Sequence, residues 1–170
     1  MNNLKIVILE DEPLAVQRLE QLIKQEIPQA EIIQVFDNSQ DAKKYFSTNS
    51  EIDLIFSDIQ LADGESFDAL IELKKWVPII FITAYNEHAL RAFEWNSIMY
   101  LLKPLKQDDF KKAVQKYNQI KGNQELVFDL EPTFKAIKSG KIGERILVKY
   151  GSKLKVISLD EIAYFYTENR

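Results

Sequence analysis

Five short apolar runs, each followed by an amphipathic stretch, fill the first 120 residues of the chain. A continuous apolar run indicates a strand buried on both faces, whereas apolar residues three or four positions apart indicate one face of a helix. Regular alternation of the two predicts βαβ units and a parallel sheet covered by helices. The predicted strands span residues 4–9, 31–36, 53–57, 78–82 and 98–102.

The amphipathic stretches predict one helix after each strand. The apolar residues that share a face of the first helix are Leu14, Leu19, Leu22 and Ile23. Ser39 belongs to a residue type that caps helix N-termini well, so we expect it to cap the second helix, which runs to residue 46. The other three helices are predicted over residues 65–75, 87–94 and 107–120.

The pattern changes after residue 120. Residues 121–143 begin and end with glycine-containing stretches and predict a linker with one short helix over 125–138. Residues 145–150 and 153–158 predict two strands of a hairpin, and residues 162–166 predict a third strand. So few strands bury little surface, which indicates the beginning of a domain whose remainder is missing.

Composition excludes several functional classes. The 170 residues include no cysteine, which excludes disulfides, thiolate zinc sites and thiol catalysis and fits a reducing cytoplasm. No run approaches the roughly 20 apolar residues of a membrane span, and the N-terminus lacks a signal-peptide pattern. Residues 1–120 carry 13 Lys and Arg against 19 Asp and Glu, so charge alone does not favour polyanion binding there.

Polar side chains with complementary chemistry follow four of the predicted strands. They are Glu10, Asp11 and Glu12 after the first strand, Asp58 after the third, Thr83 after the fourth and Lys103 after the fifth. The carboxyl ends of parallel strands share one edge of the sheet, where ligands bind. We therefore expect these groups to converge around Asp58.

The expected cluster has the chemistry of a phosphoryl-transfer site. Carboxylates at one site repel one another unless a cation or proton intervenes, and Glu10, Asp11 and Asp58 suit Mg²⁺, which prefers oxygen ligands. Asp58 is then the candidate carboxylate nucleophile for a phosphorus centre. Lys103 would place a compact positive charge on the transferred group, and Thr83 would donate a hydrogen bond to it.

Each of these residues alone also fits an ordinary structural role. Asp58 alone is also typical of a residue that caps the following loop. Acids at positions 10–12 are also typical of the positive N-terminal end of a following helix. Thr83 fits a turn residue, and Lys103 fits a solvated loop lysine. The combination favours a functional site, because four separate strand ends supply complementary groups.

The strand ends resemble those of the receiver domain of bacterial two-component response regulators. The matching segments are Ile8–Pro13, Asp58–Leu61, Phe81–Tyr85 and Tyr100–Pro104. The resemblance covers residue 4 to about residue 120, and it implies a flavodoxin-like (CheY-like) α/β fold with a five-stranded parallel sheet in the order 2-1-3-4-5.

The resemblance also implies a role for each matched residue. Asp58 would be the phosphoacceptor, and Mg²⁺ would be bound by Glu10, Asp11, Asp58 and the backbone carbonyl of Gln60. Thr83 and Lys103 would sense the phosphoryl group, and Tyr100 would be the aromatic residue of the switch. Gln60 and Tyr85 would tune dephosphorylation.

Two further segments resemble the LytTR subfamily. Residues 145–166 resemble the opening of its DNA-binding domain, and residues 93–104 resemble its receiver. The expected organisation is a receiver domain over 1–120, a linker over 121–143 and the N-terminal fragment of a LytTR-type domain over 144–170. By the resemblance, the principal base-contacting positions of that domain lie mostly beyond Arg170, so no DNA contact is assigned to any residue present.

The expected function is a phosphorelay switch in the cytoplasm. A sensor histidine kinase donates a phosphoryl group to Asp58, and the chain performs no other catalysis than this transfer and slow autodephosphorylation. The face formed by the fourth helix, fifth strand and last helix then changes shape, and two receivers pair through it. The full-length protein would place two DNA-binding domains on spaced half-sites in promoter DNA.

Three other functions remain open from the residues. A receiver-like interaction module would need no phosphorylation, although Asp58, Thr83 and Lys103 are all present. A haloacid dehalogenase-like hydrolase would need a second acid two residues after its nucleophile, where Gln60 stands. A flavodoxin would bind phosphate after the first strand, where the acids of residues 10–12 repel it.

Overall fold

The computed structural model describes residues 3–49, 51–84 and 98–121, and the backbone of residues 145–150 and 153–158. The elements follow one another as β1 (Leu4–Leu9), α1 (Pro13–Glu26), β2 (Ala30–Phe36), α2 (Ser39–Thr48), β3 (Leu54–Ser57), β4 (Gln60–Leu61), β5 (Gly64–Glu65), α3 (Phe67–Leu70), β6 (Ile79–Thr83), β7 (Met99–Leu102), α4 (Gln107–Lys121), β8 (Arg145–Tyr150) and β9 (Lys153–Ser158).

Five strands form one parallel sheet in the order β2-β1-β3-β6-β7. This order confirms the predicted flavodoxin-like topology, in which the second strand lies outside the first. Every residue of β3 and β6 is buried, as expected for central strands with helices on both faces.

The sheet register brings the functional strand ends to one edge. Leu9 pairs with Ser57, and Thr83 pairs with Leu102. Glu10 follows Leu9, Asp58 follows Ser57 and Lys103 follows Leu102. They therefore lie beside Thr83 at the carboxyl edge of the sheet, as the sequence predicts.

Helix packing covers the sheet with apolar side chains. In α1, Leu19, Leu22 and Ile23 are buried as predicted, and burial of each such side chain stabilises the fold by about 1.5–3 kcal/mol. The prediction for Leu14 was wrong, since this residue is 78% exposed. At about 100° per helical residue, Leu14 lies opposite Ile23, on the face turned away from the core.

Two predicted helix boundaries need correction. The cap of α2 is Asn38, whose extended backbone places its side-chain oxygen 2.8 Å from the backbone nitrogen of Asp41. Ser39 is instead the first helical residue. The third helix is also shorter than its predicted range of 65–75. It starts at Phe67, because Glu65 pairs with Gln60, and it ends at Leu70.

A short antiparallel hairpin, formed by β4 and β5, directly follows the third strand. Its tip residue Asp63 accepts hydrogen bonds from the backbone nitrogen of Ser39 at 2.8 Å, from the Ser39 hydroxyl at 2.8 Å and from the backbone nitrogen of Gln40 at 3.1 Å. Helix N-termini have free N–H groups and attract negative charge. Asp63 therefore ties the hairpin to the start of α2.

The remaining predictions fall partly outside the described residues. The hairpin of β8 and β9 is antiparallel and has the predicted bounds. The predicted helices over 87–94 and 125–138 and the predicted strand over 162–166 lie outside the described part of the chain. Within that part, no helix combines the length and apolar character that crossing a membrane requires.

Asp63→Asn is expected to lower the free energy of unfolding by about 1 kcal/mol at neutral pH, because it weakens the hydrogen bonds that Asp63 accepts from Ser39 and Gln40 in the first turn of α2. Burial raises the pKa of Asp63, but hydrogen bonds from Ser39 and Gln40 outweigh this and lower it overall. The stabilisation is therefore present at neutral pH and disappears as the pH falls through the lowered pKa.

Urea unfolding of both proteins at neutral and acidic pH measures this difference. Asp68→Asn is the matched control, since Asp68 is an exposed acid in the first turn of α3. An equal loss of stability in both variants, or a loss for Asp63→Asn that persists in acid, would contradict the assignment.

Candidate functional site

Asp58 lies immediately after β3 and is fixed through both backbone and side chain. Its backbone nitrogen donates to the carbonyl oxygen of Leu9 at 2.8 Å. Its carboxylate Oδ1 accepts from the backbone nitrogen of Gln60 at 3.2 Å, and Oδ2 accepts from Lys103 Nζ at 2.6 Å. The side chain is 7% exposed, so one small part of a buried carboxylate faces the open edge.

Glu10 lies beside Asp58 because β1 and β3 are neighbours in the sheet. Its backbone nitrogen donates to the carbonyl oxygen of Phe36 at 2.9 Å, and its carboxylate accepts from the backbone nitrogen of Glu12 at 3.2 Å. Lys103 Nζ lies 2.9 Å from the same carboxylate. Burial raises the pKa of Glu10, and the hydrogen bond from Lys103 opposes this only in part.

Lys103 reaches these acids from β7, at the far side of β6. Its backbone nitrogen donates to the carbonyl oxygen of Thr83 at 2.9 Å, and its peptide bond to Pro104 is cis. Its ammonium donates to Glu10, Asp58 and Glu12 at 2.9, 2.6 and 3.0 Å. Burial lowers the pKa of Lys103, but hydrogen bonds to these carboxylates outweigh it and raise the pKa overall, so the ammonium stays charged.

Three carboxylates at this edge form a candidate cation site. One oxygen each from Glu10, Asp11 and Asp58 lies within 4.8 Å of the others. An all-oxygen, anionic donor set is the type that Mg²⁺ and Ca²⁺ prefer. The residues therefore fit the predicted divalent metal, and Gln60 lies two residues after Asp58, next to the same pocket.

The other predicted site residues have different surroundings. Thr83 is fully buried at the end of β6. Tyr100 is half-buried on β7 and pairs in register with Phe81. Tyr85 lies outside the described residues. The structure thus brings Asp58, Lys103 and the acidic residues together, and it places Thr83 at the same edge.

The sequence predicts Glu12 at this edge of the sheet but gives it no role, and the structure brings it into contact with Lys103. Its carboxylate lies 3.0 Å from Lys103 Nζ, and its side chain is 67% exposed. The available signal was its place in a run of three acids at the start of α1. That run has an ordinary explanation in helix electrostatics, so the sequence alone did not separate Glu12 from its neighbours.

The sheet order and an acidic pocket at its carboxyl edge define a CheY-like receiver domain. Residues 6–115 match the family described as the response regulator receiver domain. The chain belongs to this family of two-component signalling proteins. Receiver domains are generally signalling modules rather than enzymes.

Individual relatives agree with this assignment. The chain is 30% identical to the sensory transduction protein LytT of Bacillus subtilis, over 98% of the chain and 66% of the relative. It is 40% identical to the transcriptional regulatory protein YpdB of Escherichia coli, over 66% of the chain and 47% of the relative. The LytT and LytR relatives place it among LytTR-type regulators, as predicted.

A solved structure with the same fold is the response regulatory domain of protein mrkE from Klebsiella pneumoniae. The TM-score is 0.62 at 34% identity, and the match covers 68% of this chain and 96% of that one. The chain spans about half to two thirds of the length of the curated relatives it matches.

Asp11→Asn is expected to weaken Mg²⁺ binding by about tenfold or more, because it removes one anionic oxygen ligand from the cluster. Isothermal titration calorimetry measures the affinity. Asp37→Asn is the control, since Asp37 follows β2 at the same edge but does not belong to the cluster. Equal affinities of the two variants for Mg²⁺ would contradict the assigned cation site.

Proposed function

We propose that the chain is a phosphorylation-dependent receiver, in which Asp58 accepts a phosphoryl group from a sensor histidine kinase in the cytoplasm. The observation that carries the proposal is the 2.6 Å contact between Asp58 and the Lys103 ammonium, beside the other carboxylates of the pocket. A nucleophilic carboxylate and a charge-compensating cation are thereby positioned together before any ligand arrives.

The chemical step exchanges one bond to phosphorus for another. An Asp58 carboxylate oxygen forms a bond to phosphorus, and the N–P bond of phosphohistidine breaks. The electron pair of that bond stays on the imidazole nitrogen, which takes up a proton. Lys103 offsets the negative charge on the phosphoryl oxygens, and the Thr83 hydroxyl donates to one of them.

Glu10, Asp11, Asp58 and the backbone carbonyl of Gln60 are the proposed Mg²⁺ ligands. Mg²⁺ when bound would neutralise part of the charge of the carboxylates and of the phosphoryl group. Backbone N–H groups hold two of the proposed ligands in position. Glu12 donates its backbone N–H to the Glu10 carboxylate, and Gln60 donates its backbone N–H to the Asp58 carboxylate. Both carboxylates are thus oriented by neighbouring backbone.

Phosphorylation of Asp58 would be transmitted out of the pocket by movements of Thr83 and Tyr100. A phosphoryl group on Asp58 would draw the Thr83 hydroxyl toward it, and Tyr100 would turn inward into the space that Thr83 vacates. The two residues lie on β6 and β7, which are paired in the sheet. This is a phosphate-driven shift of a two-state element.

The proposed output is transcriptional. Residues 1–120 would form the receiver, 121–143 a linker and 144–170 the start of a LytTR-type DNA-binding domain. Receivers would pair through β7, α4 and the helix predicted over 87–94, so that two full-length proteins bind spaced half-sites in promoter DNA. Similarity to LytT over 98% of the chain supports this organisation.

Incubation with Mg²⁺ and a small phosphodonor is expected to give one phosphoryl adduct, detected by intact mass measurement. Asp58→Asn should abolish it, because an amide oxygen is a far weaker nucleophile than a carboxylate. Asp37→Asn, which changes another acid at the same edge, should leave it intact. An adduct of undiminished yield in Asp58→Asn would reject the proposed acceptor.

The same spectra, followed over time, test the proposed tuning of dephosphorylation by Gln60 and Tyr85. Substitution of either residue should change the rate at which the adduct decays, because both would flank the acyl phosphate and limit access of water. Decay of the adduct at the wild-type rate in both variants would contradict the proposed role of Gln60 and Tyr85 in dephosphorylation.

Thr83→Ala is expected to block the movement of Tyr100 without preventing the binding of a phosphoryl mimic. The variant should still bind Mg²⁺ and beryllofluoride, a phosphoryl mimic, but the NMR signals of the Tyr100 ring should no longer shift on binding. Thr48→Ala is the control, since Thr48 is exposed and its hydroxyl bonds to Lys44, Tyr45 and Asn49 at the end of α2. A Tyr100 shift of wild-type size in Thr83→Ala would contradict the proposed route.

A further inference from the structure

We propose that Glu12 is the exchangeable ligand of Lys103, which occupies one ammonium N–H until a phosphoryl group displaces it. The inference rests on the proposed function, because it concerns how the same pocket admits that group. Glu12 would then act as a positioning residue that sets how readily Lys103 is released.

The donor capacity of Lys103 is fully used. An ammonium group has three N–H donors and no acceptor. Lys103 Nζ lies within hydrogen-bond distance of three carboxylates, those of Glu10, Asp58 and Glu12. A phosphoryl oxygen bound by Lys103 must therefore replace one of these acceptors or share its N–H.

The exposure of the three carboxylates indicates which of them can give up its hydrogen bond from Lys103 with the smallest loss of free energy. The side chain of Glu10 is 3% exposed, and a buried carboxylate that loses its cation becomes an uncompensated charge. Asp58, at 7% exposed, is the residue that carries the phosphoryl group, so Lys103 stays beside it in the bound state. The side chain of Glu12 is 67% exposed, so water replaces the lost contact. Glu10 and Asp58 also belong to the acidic cluster, whereas Glu12 does not.

Among the residues that the structure describes, the Glu12 side chain makes no second hydrogen bond or ion pair at the start of α1. Glu12 stands at the N-cap in extended conformation, but its side chain makes no capping hydrogen bond, and Pro13 follows at the first helical position. Its backbone oxygen accepts from the backbone nitrogen of Val16, and its backbone nitrogen donates to Glu10. These backbone contacts survive a change of side chain.

The direction of the effect follows from this geometry. The contact between Glu12 and Lys103 stabilises the chain before the anion binds, and in the proposed exchange it is lost when the anion binds. A variant that lacks the contact should therefore bind a phosphoryl mimic more tightly. A substitution that merely damages the pocket would have the opposite effect, so a gain in affinity excludes that explanation.

Titration of the 170-residue chain with beryllofluoride in saturating Mg²⁺, followed by ¹⁹F NMR, tests the inference. Glu12→Gln removes the charge, and Glu12→Asp keeps the charge but is one methylene too short for the same contact. Both should bind beryllofluoride about two- to five-fold more tightly than wild type, the effect expected for an exposed ion pair. Glu20→Gln, which removes an exposed charge elsewhere on α1, should match wild type.

The other outcomes overturn the inference in distinguishable ways. Wild-type affinity in Glu12→Asp, with tighter binding in Glu12→Gln, would mean that Glu12 acts only by long-range charge. Weaker or unchanged binding in both variants would show that Glu12 does not compete for Lys103. Absence of beryllofluoride binding in wild type and all variants would instead refute the proposed function, and this inference with it.

Discussion

The ammonium of Lys103 compensates a group of buried acids that would otherwise repel one another. Glu10 and Asp58 are almost fully buried, and Asp11 places a third carboxylate within the same cluster. Like charges at this distance favour protonation or separation unless a cation lies among them. Lys103 supplies that cation from a neighbouring strand, and its backbone bond to Thr83 fixes the point from which its side chain reaches.

The sequence predicted most of this arrangement because it follows from strand order. The predicted bounds of β1 agree with the structure, and in a parallel sheet the residue after each strand must reach the same edge. Asp58 and Lys103 are 45 residues apart but in direct contact, as that rule requires. The proposed roles of the individual residues stay predictions, since position alone does not test chemistry.

Features that depend on distant or subtle contacts were not predictable from the sequence. The bond from Ser39 to Asp63 joins residues 24 positions apart, and neither residue signals the other. Ser39 and Asn38 both cap helices well, so only the backbone conformation decides which does. Leu14 is different, because its position opposite Ile23 follows from about 100° of rotation per helical residue and was available from the sequence. The contact of Glu12 with Lys103, in contrast, depends on where β7 ends.

A crystal structure of the chain with Mg²⁺ and beryllofluoride would show which residues hold the metal and the phosphoryl mimic. We expect the metal on Glu10, Asp11 and Asp58, and the mimic on the Asp58 carboxylate, in contact with Lys103. A mimic bound away from Asp58, or a Lys103 side chain that points out of the pocket in that complex, would contradict this expectation.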